Sequence, residues 1–192
     1  VESFDAAPAG STSGPRYSAR DVLSAPGLLS LSRLPLAALF PFVFRSSGAA
    51  VAVLLAAAVT DVLDGWLARR LRQETATGAV LDGFMDKLLA LVVLFTLVFG
   101  RELSVRDALV LSTREVCEAL IVVCTLALRP RRAASLHPAN TLGKLATTLE
   151  FMTVLVVVLR SGPRELLVLA TGLCGGAAAV AYGFRELRDR PA

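Results

Sequence analysis

Apolar residues fill six stretches of the chain, about Leu28–Phe44, Gly48–Leu71, Gly78–Phe99, Val105–Leu128, Leu142–Leu159 and Glu165–Phe184. Each approaches the roughly 20 residues a helix needs to cross a bilayer. The polar interruptions are short: Arg45-Ser46-Ser47, the Arg-rich turn Arg70–Thr77, Gly100–Ser104, Arg129–Thr141 with Pro130 and Pro138, and Ser161–Arg164. This pattern predicts an all-α, polytopic membrane protein of six transmembrane helices with a short N-terminal juxtamembrane segment. Residues 1–25 form a flexible or interfacial segment, 26–188 the six-helix transmembrane domain and 189–192 a C-terminal tail. Within the first segment, Val1–Pro15 lacks the basic region and apolar run of a signal peptide. Tyr17–Ser24 reads as a weakly amphipathic interfacial helix.

Composition narrows the class. Of 192 residues, 55% are hydrophobic but only 6% aromatic, so the excess is aliphatic. A soluble domain of this size has too high a surface-to-volume ratio to hide that much apolar surface, and disordered chains are poor in hydrophobes. The formal charge is +4, but the basic residues sit between apolar runs rather than on one polar face, which argues for a topology signal over a nucleic-acid partner. With the N-terminus inside, twelve basic residues fall on cytoplasmic segments (Arg16, Arg20, Arg69, Arg70, Arg72, Arg129, Arg131, Arg132, Lys144, Arg185, Arg188, Arg190) and five opposite (Arg45, Arg101, Arg106, Arg160, Arg164). Both termini are therefore expected in the cytoplasm. Cys117, Cys124 and Cys174 lie in apolar runs without zinc-site spacing and read as small buried hydrophobes.

The informative residues are charges inside the spans, where an ionisable group costs about 2.5–3.5 kcal/mol or more. Asp61 and Asp64 end the second span, and Asp82 and Asp86 open the third. Spacings of three and four put each pair on one helix face, and an antiparallel hairpin can bring all four together. Four such carboxylates repel one another unless cations neutralise them. An oxygen-only set suits hard divalent ions, Mg²⁺ or Mn²⁺, and can bridge two of them. Two such ions in turn attract a pyrophosphate. Gly65, Gly78 and Gly83 permit close approach, and Arg69 lies suitably for a phosphate oxygen. The plainer alternative is a helix boundary at which these carboxylates pair with Arg69, Arg70, Arg72 and Lys87.

The run Asp61-x2-Asp64-Gly65-x2-Ala68-Arg69-x8-Gly78-x3-Asp82-x3-Asp86 resembles the signature of the CDP-alcohol phosphotransferase family at all eight specified positions. The resemblance implies six transmembrane helices, a homodimer and an active site open to the cytoplasm. It implies Asp61, Asp64 and Asp82 as ligands of a two-metal site, and Asp86 as the fourth carboxylate and general base. Gly65, Ala68, Arg69 and Gly78 would hold the CDP moiety. The expected reaction is displacement of CMP from CDP-diacylglycerol by a small polar alcohol, at a bacterial inner (plasma) membrane.

Further resemblances bear on the substrates. Pro26-Gly27-Leu28-Leu29-Ser30-Leu31-Ser32-Arg33 is similar to the Pro-Asn-x-Leu-Thr-x-x-Arg start of the first span in phospholipid synthases, with Gly27 for Asn and Ser30 for Thr. Arg33 belongs either to the site or to the snorkelling arginines of span ends. Thr113-Arg114-Glu115 and Gly143-Lys144-Leu145-Ala146-Thr147 resemble segments of phosphatidylglycerophosphate synthases. Arg114, Lys144 and Thr147 would then bind the acceptor, with glycerol 3-phosphate leading and an inositol phosphate the alternative. An internal Arg114–Glu118 pair and a Lys144 that merely marks the inside is the competing reading. His137 reads as a solvated loop residue. Gly172-x-x-x-Gly176 reads as close helix packing, within one subunit or between two. An ion or proton transporter is the rival from another class, but it needs polar groups through the bilayer's depth. Here only Arg114, Glu115 and Glu118 are expected to extend polarity deeper.

Overall fold

The computed structural model describes residues 24–71, 75–117, 119–120 and 141–188, and all regular structure among them is helical. The helices are α1 (Ala25–Leu31), α2 (Arg33–Val43), α3 (Ser47–Leu71), α4 (Ala76–Phe99), α5 (Val105–Leu111), α6 (Thr141–Leu159) and α7 (Arg164–Arg188). Beyond a turn at Ser112, residues 113–117 and 119–120 are also helical. Among the described residues the starts and ends lie within a few residues of the apolar stretches of the sequence; the end of the fourth stretch, Leu128, lies outside them. Most of Tyr17–Ser24, most of the Arg129–Thr141 loop with His137, Cys124 and the last four residues lie outside the described set.

The expected first span is divided, and the reason is local. Ser24 caps α1 by accepting the Gly27 N–H at 3.3 Å. Pro35 has no N–H to give the Leu31 carbonyl, and its ring crowds that group. The helix therefore ends at Leu31, Ser32 makes the joint with its hydroxyl donating to the Leu29 carbonyl at 2.6 Å, and α2 starts at Arg33.

Two helical segments are long and apolar enough to cross a membrane, α3 and Arg164–Ala181 of α7, while Gly27–Val43 and Leu145–Leu159 are shorter apolar stretches. Phe42, Phe99, Leu166 and Leu173 stand exposed on the outside, a surface that suits lipid better than water. The core unites Phe40 of α2, Val53 and Leu54 of α3, Val93 and Leu97 of α4, and Val154 and Val157 of α6. The α6–α7 pairing is the most extensive among the labelled helices. It includes a buried hydrogen bond between the Thr153 and Thr171 hydroxyls at 2.9 Å.

Two glycines of α7 act within the chain. A Cβ at Gly172 would come within 2.4 Å of Val110 Cγ1, and one at Gly175 within 3.3 Å of Arg114 Cβ. These two glycines admit the segment 105–117, whereas Gly176 faces open space. Cys117 and Cys174 are half-buried thiols outside any disulfide. At the end of the bundle remote from Asp64, Arg160 pairs with Glu102, and Arg164 donates to the Glu102 carbonyl at 3.0 Å and reaches Asp107 at 3.5 Å.

Overpacking a tight contact costs about 1–3 kcal/mol. Gly172→Val is therefore expected to lower the melting temperature of the detergent-solubilised protein, and Gly176→Ala to leave it nearly unchanged. Equal effects would contradict the intramolecular packing of Gly172.

Candidate functional site

The carboxylates continue the buried stripes of their own helices. In α3 the inward face runs Ala50, Val53, Leu54, Ala57 and on to Asp64. In α4, Asp82, Asp86, Leu89, Val93 and Leu97 follow the same three-to-four spacing, with Met85, Val93 and Leu97 buried. A helical period alone thus aligns each aspartate pair with the buried stripe of its helix. The α1–α2 joint brings Ser30 and Arg33 to the same place.

There one guanidinium meets all four carboxylates. Arg33 Nη2 lies 2.8 Å from Asp61 Oδ1 and 2.7 Å from Asp64 Oδ2; Nη1 lies 2.6 Å from Asp82 Oδ1 and 2.7 Å from Asp86 Oδ1. Arg33 is 1% exposed and Asp64 5%, whereas Asp61, Asp82 and Asp86 are 37–49% exposed. Ser30 Oγ donates to Asp64 Oδ2 at 3.1 Å. The planar fork of arginine suits such a multidentate role. One positive charge against four negative ones still leaves the cluster strongly acidic.

The donor set fits hard divalent cations. Asp61, Asp64 and Asp82 each offer an oxygen within 4.8 Å of the others, close enough to share ions. Asp86 joins them through the same Arg33 nitrogen as Asp82. Oxygen-only, carboxylate-rich sets favour Mg²⁺ and Mn²⁺ over softer metals.

A cavity of about 490 Å³ adjoins the cluster. Asp61, Asp86 and Lys87 line it together with Arg114, Glu115 and Glu150, and Leu54, Val93, Phe151 and Val154 give it an apolar wall. Arg114 donates to the Thr147 hydroxyl and lies 3.7 Å from Glu115 Oε1. Thr147 in turn donates to the Gly143 carbonyl at 3.0 Å. Glu150 is close enough to interact with both Glu115 and Arg114.

Residues 23–182 match the family model for CDP-alcohol phosphatidyltransferase. The chain belongs to the CDP-alcohol phosphatidyltransferase family. It is 37% identical over 134 residues to the cardiolipin synthase (CMP-forming) of Streptomyces coelicolor, covering 66% of this chain and 60% of that one. It is 43% identical over 81 residues to the CDP-diacylglycerol–glycerol-3-phosphate 3-phosphatidyltransferase of Pseudomonas fluorescens, covering 40% of this chain and 42% of the other. A protein of the same name from Escherichia coli is 44% identical over 72 residues, 35% of this chain and 40% of its own. The matched region spans 60% of the length of the first relative.

In this phosphatidyltransferase-family chain, the four aspartates come together as their spacing predicts. Their partner is Arg33, not Arg69, Arg70 or Lys87; Arg72 is outside the described residues. Gly65, Ala68 and Arg69 lie towards the C-terminal end of α3, with Arg69 folded back along Gly65, where a Cβ would be 3.5 Å from its Nη1. Gly78 lies in the first turn of α4 and donates its N–H to the capping Thr75 hydroxyl at 3.0 Å. Arg114 and Thr147 meet in the cavity. Lys144 is in the first turn of α6, and its side chain, like that of Glu118, lies outside the described set.

Glu150 corrects the expectation that Arg114, Glu115 and Glu118 alone carry polarity deeper into the spans. It sits in the fifth apolar stretch, and a carboxylate in such a run is itself the signal that could have found it. Arg33 was visible as part of a motif, but its central place depends on the α1–α2 joint.

Removing one partner from a buried ion cluster costs about 3–5 kcal/mol, less where the remaining charges reach water. Arg33→Met is expected to lower the melting temperature in EDTA, and Arg33→Lys to recover only part of the loss. An unchanged melting temperature in Arg33→Met would contradict the four-way pairing.

Proposed function

We propose that this chain transfers the phosphatidyl group of CDP-diacylglycerol to a hydroxyl of a glycerol-type alcohol and releases CMP. The carrying observation is the convergence of Asp61, Asp64, Asp82 and Asp86 on one point in a chain of this family. The names of the relatives, one for cardiolipin and two for glycerol 3-phosphate, favour glycerol-type acceptors over inositol phosphate. Glycerol 3-phosphate is the acceptor that the Arg114 and Lys144 segments suggested.

Asp61, Asp64, Asp82 and Asp86 would hold two Mg²⁺ or Mn²⁺ ions. When bound, such ions neutralise the carboxylates and stabilise negative charge on the pyrophosphate. The residues do the rest. Gly65, Ala68 and Gly78 give the CDP group room at the hairpin, and Arg69 supplies a positive charge for its phosphates. Asp86 borders the cavity, so it is the carboxylate available to an acceptor hydroxyl. The hydroxyl oxygen forms a bond to the phosphorus carrying diacylglycerol, the bond from that phosphorus to CMP breaks, and the hydroxyl proton passes to Asp86. The product is a phosphodiester.

Six spans, with α1 and α2 forming the first and the segment from Val105 onward the fourth, agree with the helix order and the apolar outer surface. The excess of basic residues at the Asp-bearing ends supports a cytoplasmic active site.

Purified protein with CDP-diacylglycerol, Mn²⁺ and glycerol-type acceptors is expected to release CMP, and Asp86→Asn to slow this about 100-fold or more. CMP release that persists undiminished in Asp86→Asn or in EDTA would overturn the assignment.

A further inference from the structure

We propose that the groove between α2 and α4, at the end of the bundle remote from the aspartate cluster, binds an anionic phospholipid, with an acyl chain in the groove and the phosphate on Arg45 and Arg101. The inference is independent of phosphatidyl transfer and rests only on an apolar outer surface that faces lipid.

The groove has a volume of about 660 Å³, and Pro41, Phe44, Leu91, Phe95 and Phe99 line it together with Arg45. Along α4 it runs from Leu91 to Phe99, about 12 Å at the helical rise. Phe99 stands about 20 Å along the same helix from Asp86, so the groove lies apart from the reacting carboxylates. Phe95 and Phe99 stack with their centroids 6.1 Å apart. Thr96 also lines the groove, but its hydroxyl donates to the Val92 carbonyl at 2.7 Å. Its polar group is thus satisfied within the helix, and the surface left open is hydrocarbon. Gly100 ends the groove so close to the Phe44 ring that a Cβ would collide with it.

The charge at that end names the head group. Phe44 and Gly100 meet there, and an arginine follows each of them in the chain, Arg45 and Arg101. The Arg45 guanidinium lies over the Phe44 ring, 5.8 Å from its centroid. Such a contact engages the face of the guanidinium and leaves its N–H edge for a ligand. Both arginines are exposed, and neither meets a carboxylate among the described residues. At the same end of the bundle Arg160 and Arg164 are matched instead to Glu102 and Asp107. Two unmatched cations beside an apolar slot suit the phosphate and the chain of one lipid. A zwitterionic lipid brings its own cation, which the arginines repel. A second copy seated here by two-fold symmetry would set Arg45 and Arg101 against their own counterparts, so the charge favours lipid over self-association.

The test places a fluorescent reporter in the groove. Trp66, the one tryptophan, lies two residues beyond Asp64. In a Trp66→Phe background, Phe99→Trp reports contact with lipids that carry brominated acyl chains. The chain is reconstituted in phosphatidylcholine vesicles containing brominated phosphatidylglycerol or brominated phosphatidylcholine. Each nearby arginine favours an anionic lipid by about five-fold. Half-maximal quenching is therefore expected at a mole fraction of phosphatidylglycerol at least about five-fold lower than of phosphatidylcholine. Arg45→Gln combined with Arg101→Gln is expected to abolish that preference. A reporter made by Leu166→Trp, exposed and two residues from the paired Arg164, is expected to show none. Equal quenching by the two lipids at Phe99→Trp, the same preference at both reporters, or a preference that survives loss of both arginines would overturn the inference. So would a groove reporter that neither lipid quenches, the result expected if a second copy covers the groove. CMP release plays no part in the readout, so failure of phosphatidyl transfer and failure of this inference are told apart.

Discussion

Four carboxylates held within reach of one guanidinium are the constraint around which the helices are arranged. Uncompensated charges in a weakly polar interior cost several kcal/mol each, so the aspartates at the α3–α4 hairpin cannot be left unpaired. Arg33 meets that demand with contacts of 2.6–2.8 Å to every one of them. The arrangement requires α1 and α2 to lie against α3 and α4, and it requires a joint at Ser32 that delivers Ser30 and Arg33 together. The broken first helix and the aspartate cluster are therefore two sides of one interaction.

The remaining helices build what lies beside the cluster. Gly172 and Gly175 on α7 leave space for Val110 and Arg114, which allows the fourth apolar segment to approach closely enough for Arg114 to reach Thr147 on α6. That contact sets one wall of the cavity, and α3 and α4 provide the opposite one with Asp61 and Asp86. The aspartate cluster and the Arg114–Thr147 wall of the cavity thus depend on different helix contacts.

Much of this was legible in the chain. Asp61, Asp64, Asp82 and Asp86 are expensive where they stand, and their helical spacing predicted the convergence. Among the described residues, helix ends followed the apolar runs to within a few residues, because lipid-sized stretches bounded by Arg, Gly and Pro leave little choice. Arg33 was harder to place: in sequence it resembles any arginine near a span end, and only the Pro35-driven joint turns it inward. Glu150 was overlooked because it stands alone in its stretch, far in sequence from Arg114 and Glu115, and only the packing of α6 unites them. The choice between intra- and intermolecular packing at Gly172 depends on a partner, Val110, that no local pattern indicates.

The most direct test of the central claim is a Mn²⁺ titration of the purified chain followed by electron paramagnetic resonance. Two saturable Mn²⁺ ions per chain, lost when Asp64→Asn and Asp82→Asn are combined, is the predicted result. Absence of saturable binding, or binding that survives both substitutions, would contradict the aspartate cluster as the metal centre.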